Sequence, residues 1–167
     1  MSHIETERKY IVQKPDADVL CRFDDYTESD IIQIYLDDAE KTHRIRRREY
    51  TGGKVEYTEN TKLRISGMSS VEEERTISAE EYYRLTRNIE SGASPLHKVR
   101  RTVRYCGLIF EFDYYDKWEH SCIMEVELPS EAEEIKMPPF VRVLRDVTGI
   151  KPYSNHSMAH SFPKEIV

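Results

Sequence analysis

No long apolar run occurs anywhere in the chain, which excludes a membrane-spanning helix, and no signal-like segment opens it. Cysteine is scarce and odd in number. Cys21, Cys106 and Cys122 form no C-x-x-C, so a reduced, cytoplasmic protein without a disulfide framework is expected. Basic excess is lacking too. Thirty-one acids against 25 bases give a net charge of −6, which argues against a nucleic-acid partner. There is no G-x-x-x-x-G-K-[ST] phosphate loop, no G-x-S-x-G elbow and no H-E-x-x-H zinc motif. His156 and His160 stand four apart, a spacing that suits either a metal or a solvated terminal helix.

What is present is charge, at 34% of 167 residues, where a quarter is usual. The length suits one domain, residues 1–167, with a real core. The charge falls in strands, because it alternates. Residues 3–12 place Glu5, Glu7 and Lys9 in one phase and Ile4, Tyr10 and Val12 in the other. Further strands are predicted at 31–36, 42–50, 54–65, 71–77, 96–106, 108–116 and 122–128, eight in all. Ser78 with Glu81 reads as a capping box that opens a helix over 79–90. A second helix is predicted from Pro138-Pro139, carrying Phe140, Val143, Leu144 and Val147 and stopped by Gly149. The tail adds a short helical turn. The expected fold is mainly β: an eight-stranded antiparallel closed barrel with a few flanking helices.

An alternating sheet ordinarily turns its charged phase to water. Here the charges are sorted by sign within each strand, whereas solvated faces mix signs. Glu72 and Glu74 share a strand phase, as do Glu111 with Asp113 and Glu125 with Glu127. Arg44 with Arg46 and Lys98 with Arg100 do the same, and Lys62 stands near the end of its strand. If that phase lines a barrel interior, the charges must pair or hold ligands. Clustered carboxylates (Glu5, Glu7, Glu111, Asp113, Glu125 and Glu127) suit Mg²⁺ or Mn²⁺. Convergent arginines and lysines suit phosphates. Tyr35, in phase with Gln33, is placed either inside near Lys9 or in packing.

The succession E-x-E-x-K, R-x-R, K, E-x-E, K-x-R, E-x-D and E-x-E, from Glu5 to about Asn155, resembles the CYTH superfamily, also called triphosphate tunnel metalloenzymes. The resemblance implies a metal on Glu5 and Glu7 with Glu127 or Glu125. It implies that Lys9, Arg44, Arg46, Lys62, Lys98 and Arg100 grip a triphosphate, with Asn155 closing the tunnel. A second metal, or Glu72 and Glu74, would orient the attacking water, and Lys9 with Tyr35 would activate it. The implied activity is hydrolysis of inorganic triphosphate or a related small triphosphate, by a monomer or homodimer. The alternatives are an adenylyl cyclase or a non-catalytic polyphosphate-binding module. The cyclase branch carries a His-Phe pair well ahead of E-x-E-x-K, whereas His3 is followed by Ile4. A proline also separates Lys151 from Tyr153, where the family has a Lys-Tyr-x-Asn stretch.

Overall fold

A computed structural model describes residues 2–167. Eight antiparallel strands close into a barrel. They are β1 (Ser2–Gln13), β2 (Thr27–Leu36), β3 (Thr42–Tyr50), β4 (Val55–Arg64), β5 (Ser69–Thr76), β6 (Leu96–Tyr105), β7 (Leu108–Tyr114) and β8 (Ser121–Glu127). Their order is β5-β4-β3-β2-β6-β7-β8-β1, and β1 pairs again with β5 to complete the ring. Closure leaves no long unpaired edge, which a sheet of this length otherwise exposes. Hairpin chemistry supports it: Cys106 and Gly107 both take positive φ, 48° and 80°, in the two-residue turn between β6 and β7.

The barrel inverts the ordinary amphipathic sheet. Its apolar phase points outward and is covered by other parts of the chain. Tyr10, Val12, Val103, Phe110, Phe112, Met124 and Val126 form one such core, packed beneath Leu20 of α1 (Ala17–Leu20) and beneath Ile135, Met137 and Phe140. Ile34, Leu36 and Ile45 form another with Tyr82 of α2 (Ala79–Leu85). A third cluster lies in the charged phase itself. Ile11, Leu96, Tyr115 and Ile123 follow or precede charged residues on their strands and pack with Trp118, Val147, Tyr153 and Met158. They plug one end of the barrel.

Two expectations need correction. The predicted second helix is absent. Instead β9 (Val143–Asp146) pairs with Tyr10–Val12 of β1, making nine strands in the sheet. β1 outruns its partner: β5 meets it only over Ser2–Thr6, so the far half of β1 keeps free backbone groups on that side, and β9 satisfies them. The first helix is shorter than 79–90. Ser78 caps it as predicted, accepting from Glu81 N at 3.0 Å, but α2 ends at Leu85 and Thr86–Asn88 is a 3-10 turn. The tail's helical turn is α3 (Asn155–His160). Among the described residues, no helix is long and apolar enough to cross a membrane.

Candidate functional site

The charged phase of seven strands converges on the interior, and β2 adds Gln33 and Tyr35. Two adjoining cavities occupy it, of about 180 Å³ and about 340 Å³. Glu5, Glu7, Arg44, Arg46, Lys62, Glu72, Glu74, Arg100, Glu111, Glu125, Glu127 and Asn155 line the smaller, with His3 at its wall. Lys9 and Tyr35 line the larger, together with Thr148, Lys151 and His156. Glu7, Arg44, Lys62 and Asn155 belong to both. Of the sequence-predicted residues only Lys98 and Asp113 reach neither wall. Both are fully buried, and Lys98 Nζ donates to Asp113 Oδ2 at 2.6 Å.

Register explains the grouping. Arg100 lies opposite Asp113, Glu111 opposite Glu125, Lys9 opposite Glu125, Glu7 opposite Glu127 and Lys62 opposite Glu72. Like charges face each other in two of these pairs, so each needs help from a third strand. Arg100 supplies it on one side: its guanidinium donates to Asp113 Oδ1 and Oδ2 at 2.7 Å each, to Glu111 at 2.7 Å and to Glu125 at 3.1 Å. Lys62 pairs instead with Glu5 at 2.8 Å and with Glu72 at 3.0 Å, so among the described residues Glu7 opposite Glu127 is left without a paired cation. Lys9 Nζ is 3.2 Å from Glu125 and donates to the Tyr153 carbonyl at 3.4 Å.

Pairing is incomplete in both signs. Arg44 has only a 3.9 Å approach to Glu72, and Arg46 only a 3.3 Å bond to Gln33. The Nε of each arginine is buried without a hydrogen-bond partner. Burial and the neighbouring Arg44 and Arg100 push Arg46 down to about 10. Among the described residues Glu7 and Glu127 make no ion pair. Burial, then Glu125, push the Glu7 carboxyl up, and burial, then Glu7, raise Glu5 to about 8. Glu72 moves the other way: its own burial is outweighed by a bond from Glu5 and by Lys62 and Arg44, holding it at about 2. Lys9 is desolvated, yet Glu125 and Glu7 raise it above its ordinary value.

These groups fit a divalent cation. Glu7 is a half-buried oxygen donor without an ion-pair partner among the described residues, Glu5 beside it has only Lys62, and Glu127 faces Glu7 across the β1–β8 pair. Hard cations take such ligands in deprotonated form. A pH effect follows for the metal-free protein. Glu5 is protonated when folded up to about 8 but only to 4.5 when unfolded, so its contribution to stability is lost as pH rises between those values. Glu72 acts oppositely, losing its contribution as pH falls from 4.5 toward about 2. The melting temperature without metal is expected to fall from mildly acidic to alkaline pH, and Mg²⁺ is expected to restore more of it the higher the pH. Thermal unfolding across pH with and without Mg²⁺ checks this; parallel curves would contradict it.

Three contributors carried no functional signal in sequence. Gln33, fully buried, donates to Tyr35 Oη at 2.6 Å and accepts from Arg46, joining the two cavities' walls. Thr148, just past β9, accepts from Lys9 N at 2.9 Å and fixes the strand beside the larger cavity. Tyr115 Oη donates to Asn155 Oδ1 at 2.9 Å and holds α3 over the tunnel. Only the phase of Gln33 with Tyr35 was visible beforehand.

The closed eight-stranded antiparallel barrel with its charges inside is the fold implied by the resemblance of the strand motifs to the triphosphate tunnel metalloenzymes. The crystal structure of the inorganic triphosphatase NE1496 aligns with 96% of this chain and 97% of its own, at TM-score 0.58 and 26% identity. The PH1819 protein from Pyrococcus horikoshii OT3 aligns over 74% of this chain and 77% of its own, at TM-score 0.52 and 16% identity. A conserved hypothetical protein from Pyrococcus furiosus covers 77% and 80%, at TM-score 0.51 and 16% identity. These last two share the fold alone. No family model and no curated protein matches the sequence.

Proposed function

We propose that this protein is a divalent-metal-dependent triphosphatase that hydrolyses inorganic triphosphate to diphosphate and orthophosphate. One observation carries the reading: a single cavity holds buried arginine Nε donors without acceptors beside two carboxylates, Glu7 and Glu127, that make no ion pair among the described residues. A metal-bound polyphosphate has both complements. Its oxygens satisfy Arg44 and Arg46, and its cation satisfies Glu7 and Glu127 and takes Glu5 over from Lys62. The similarity to an inorganic triphosphatase over 96% of the chain supports the same reading.

Mg²⁺ or Mn²⁺ on Glu5, Glu7 and Glu127 would neutralise phosphate oxygens and add Lewis-acid polarisation. The chain's own residues do the rest. Arg44 and Arg46 are set to bind the bridging and terminal oxygens and to stabilise the charge that develops as the terminal phosphoryl leaves, and Lys62, held by Glu5 and Glu72, joins them once a metal takes Glu5. Arg100 and Lys98 are committed to carboxylates, and their part is to hold Asp113, Glu111 and Glu125 in place. Lys9, raised by Glu125 and Glu7, acts as a cation near neutral pH and as a base only in alkali. Glu72 and Glu74 are the carboxylates available to orient water.

The smaller cavity is lined by ionisable side chains and Asn155, with no apolar wall for a base or a ring. That favours a substrate without an organic group. The larger cavity, with Tyr35, Val147 and Ile150 on its wall, favours a second reading in which the triphosphate carries one. Phosphate release from tripolyphosphate, thiamine triphosphate and ATP, with Mg²⁺ or Mn²⁺, separates them. Tripolyphosphate is expected to have the highest kcat/KM. Cyclic AMP from ATP in place of orthophosphate, or no phosphate from any substrate, would overturn the proposal.

A further inference from the structure

Beside the larger cavity, three metal-ligating side chains meet in a place the triphosphatase reading does not use. α3 carries His156 and His160 four residues apart, on one side of the helix. Glu90, from the segment between α2 and β6, stands against them. Its Oε2 lies 2.6 Å from His156 Nε2 and 3.4 Å from His160 Nε2. The two imidazoles meet edge to face with centroids 5.3 Å apart, and the ligand atoms of all three residues fall within 4.8 Å of one another.

We propose that Glu90, His156 and His160 form a second metal site, selective for Zn²⁺ over Mg²⁺ and Mn²⁺. Bonds of about 2.0–2.1 Å in a tetrahedron separate ligand atoms by about 3.3 Å. The Glu90–His160 spacing of 3.4 Å already matches, and the Glu90–His156 contact of 2.6 Å must open by only about 0.7 Å. Two imidazoles with one carboxylate suit Zn²⁺, while Mg²⁺ and Mn²⁺ prefer all-oxygen sites such as the tunnel. Three protein ligands leave a fourth position for water.

The site sits where an ion would brace the tunnel wall. Glu90 N donates to the Tyr35 carbonyl at 2.9 Å, and the His156 ring lies 4.9 Å from the Tyr35 ring. Ser94 N donates to Ala159 O at 2.9 Å, so the same segment already touches α3 twice. Asn155, next to His156, lines both cavities. A bound Zn²⁺ ties α3 to the strand end that carries Tyr35 and holds that wall closed.

The test is calorimetric titration of Zn²⁺ into the tag-free full chain at saturating Mg²⁺, with thermal unfolding alongside. One Zn²⁺ per chain and a higher melting temperature are expected. His160→Gln and Glu90→Gln should each weaken Zn²⁺ by at least about tenfold. Both should retain their Mg²⁺-dependent phosphate release measured without Zn²⁺. Glu7→Gln, a tunnel variant, should bind Zn²⁺ as the parent does. Absence of Zn²⁺ binding in the presence of Mg²⁺, or parental affinity in both His160→Gln and Glu90→Gln, would overturn the site. Because binding and unfolding need no turnover, failure here is distinct from failure of the triphosphatase reading.

Discussion

Glu7→Gln is expected to lower the turnover of tripolyphosphate by about 10²–10³-fold, the equivalent of several kcal/mol of lost charge stabilisation. The substitution keeps the shape of the side chain and removes one carboxylate charge. Glu7 is half-buried, has no ion-pair partner among the described residues, and faces Glu127. A carboxyl already pushed up by burial and by Glu125 gains nothing from its charge unless a cation arrives. The variant's metal-free melting temperature should therefore equal or exceed the parent's. Arg44 and Arg46 are untouched, so calorimetry should still detect triphosphate binding, now with little dependence on Mg²⁺. Glu5→Gln is the companion variant, with the same expected direction. Near-normal turnover in both would mean that these carboxylates do not hold the metal.

The inversion that makes Glu7 interesting was legible because a strand has a period of two. Glu5, Glu7 and Lys9 could not share a face with Tyr10 and Val12, so the charged and apolar phases had to lie on opposite faces of the sheet. Sorting by sign then favoured an interior with ligands over a solvated face. Depth along each strand was not legible. Lys98 and Arg100 share a phase, as do Asp113 and Glu111, but Lys98 and Asp113 are one step nearer the plug of Leu96 and Tyr115 and are sealed from the cavity. The missing helix failed for another reason. Phe140 packs on the outer core, while Leu144 and Val147 pack on the plug, so their helix-like spacing comes from two separate cores. The unpaired half of β1 then captured Val143–Asp146 as a strand, a tertiary demand that local spacing does not reveal.

The sealed pair also sets the largest expected stability effect. Asp113→Ala should destabilise the fold by about 3–5 kcal/mol, since it leaves two buried cations without their shared anion. Asp113 has no solvent exposure and accepts from Lys98 at 2.6 Å and from Arg100 at 2.7 Å through each oxygen. In a chain of 167 residues that loss corresponds to a fall of roughly 6–20 °C in melting temperature. Lys98 gives the system one way to yield. Burial and then Arg100 hold it down at about 8, and Asp113 is the chief group raising it, so without Asp113 it sheds its proton near neutral pH. Arg100 has no such escape and must lean further on Glu111 and Glu125. Pairing Asp113→Ala with Lys98→Met should therefore recover part of the loss, since one of the two stranded cations is gone. Thermal unfolding of the two single variants and the double, without metal, closes the cycle. A single-variant loss within about 0.5 kcal/mol, the size expected of an exposed charge, would place Asp113 at the surface rather than under the tunnel floor. A double variant no more stable than Asp113→Ala alone would show that Lys98 was never held by that carboxylate.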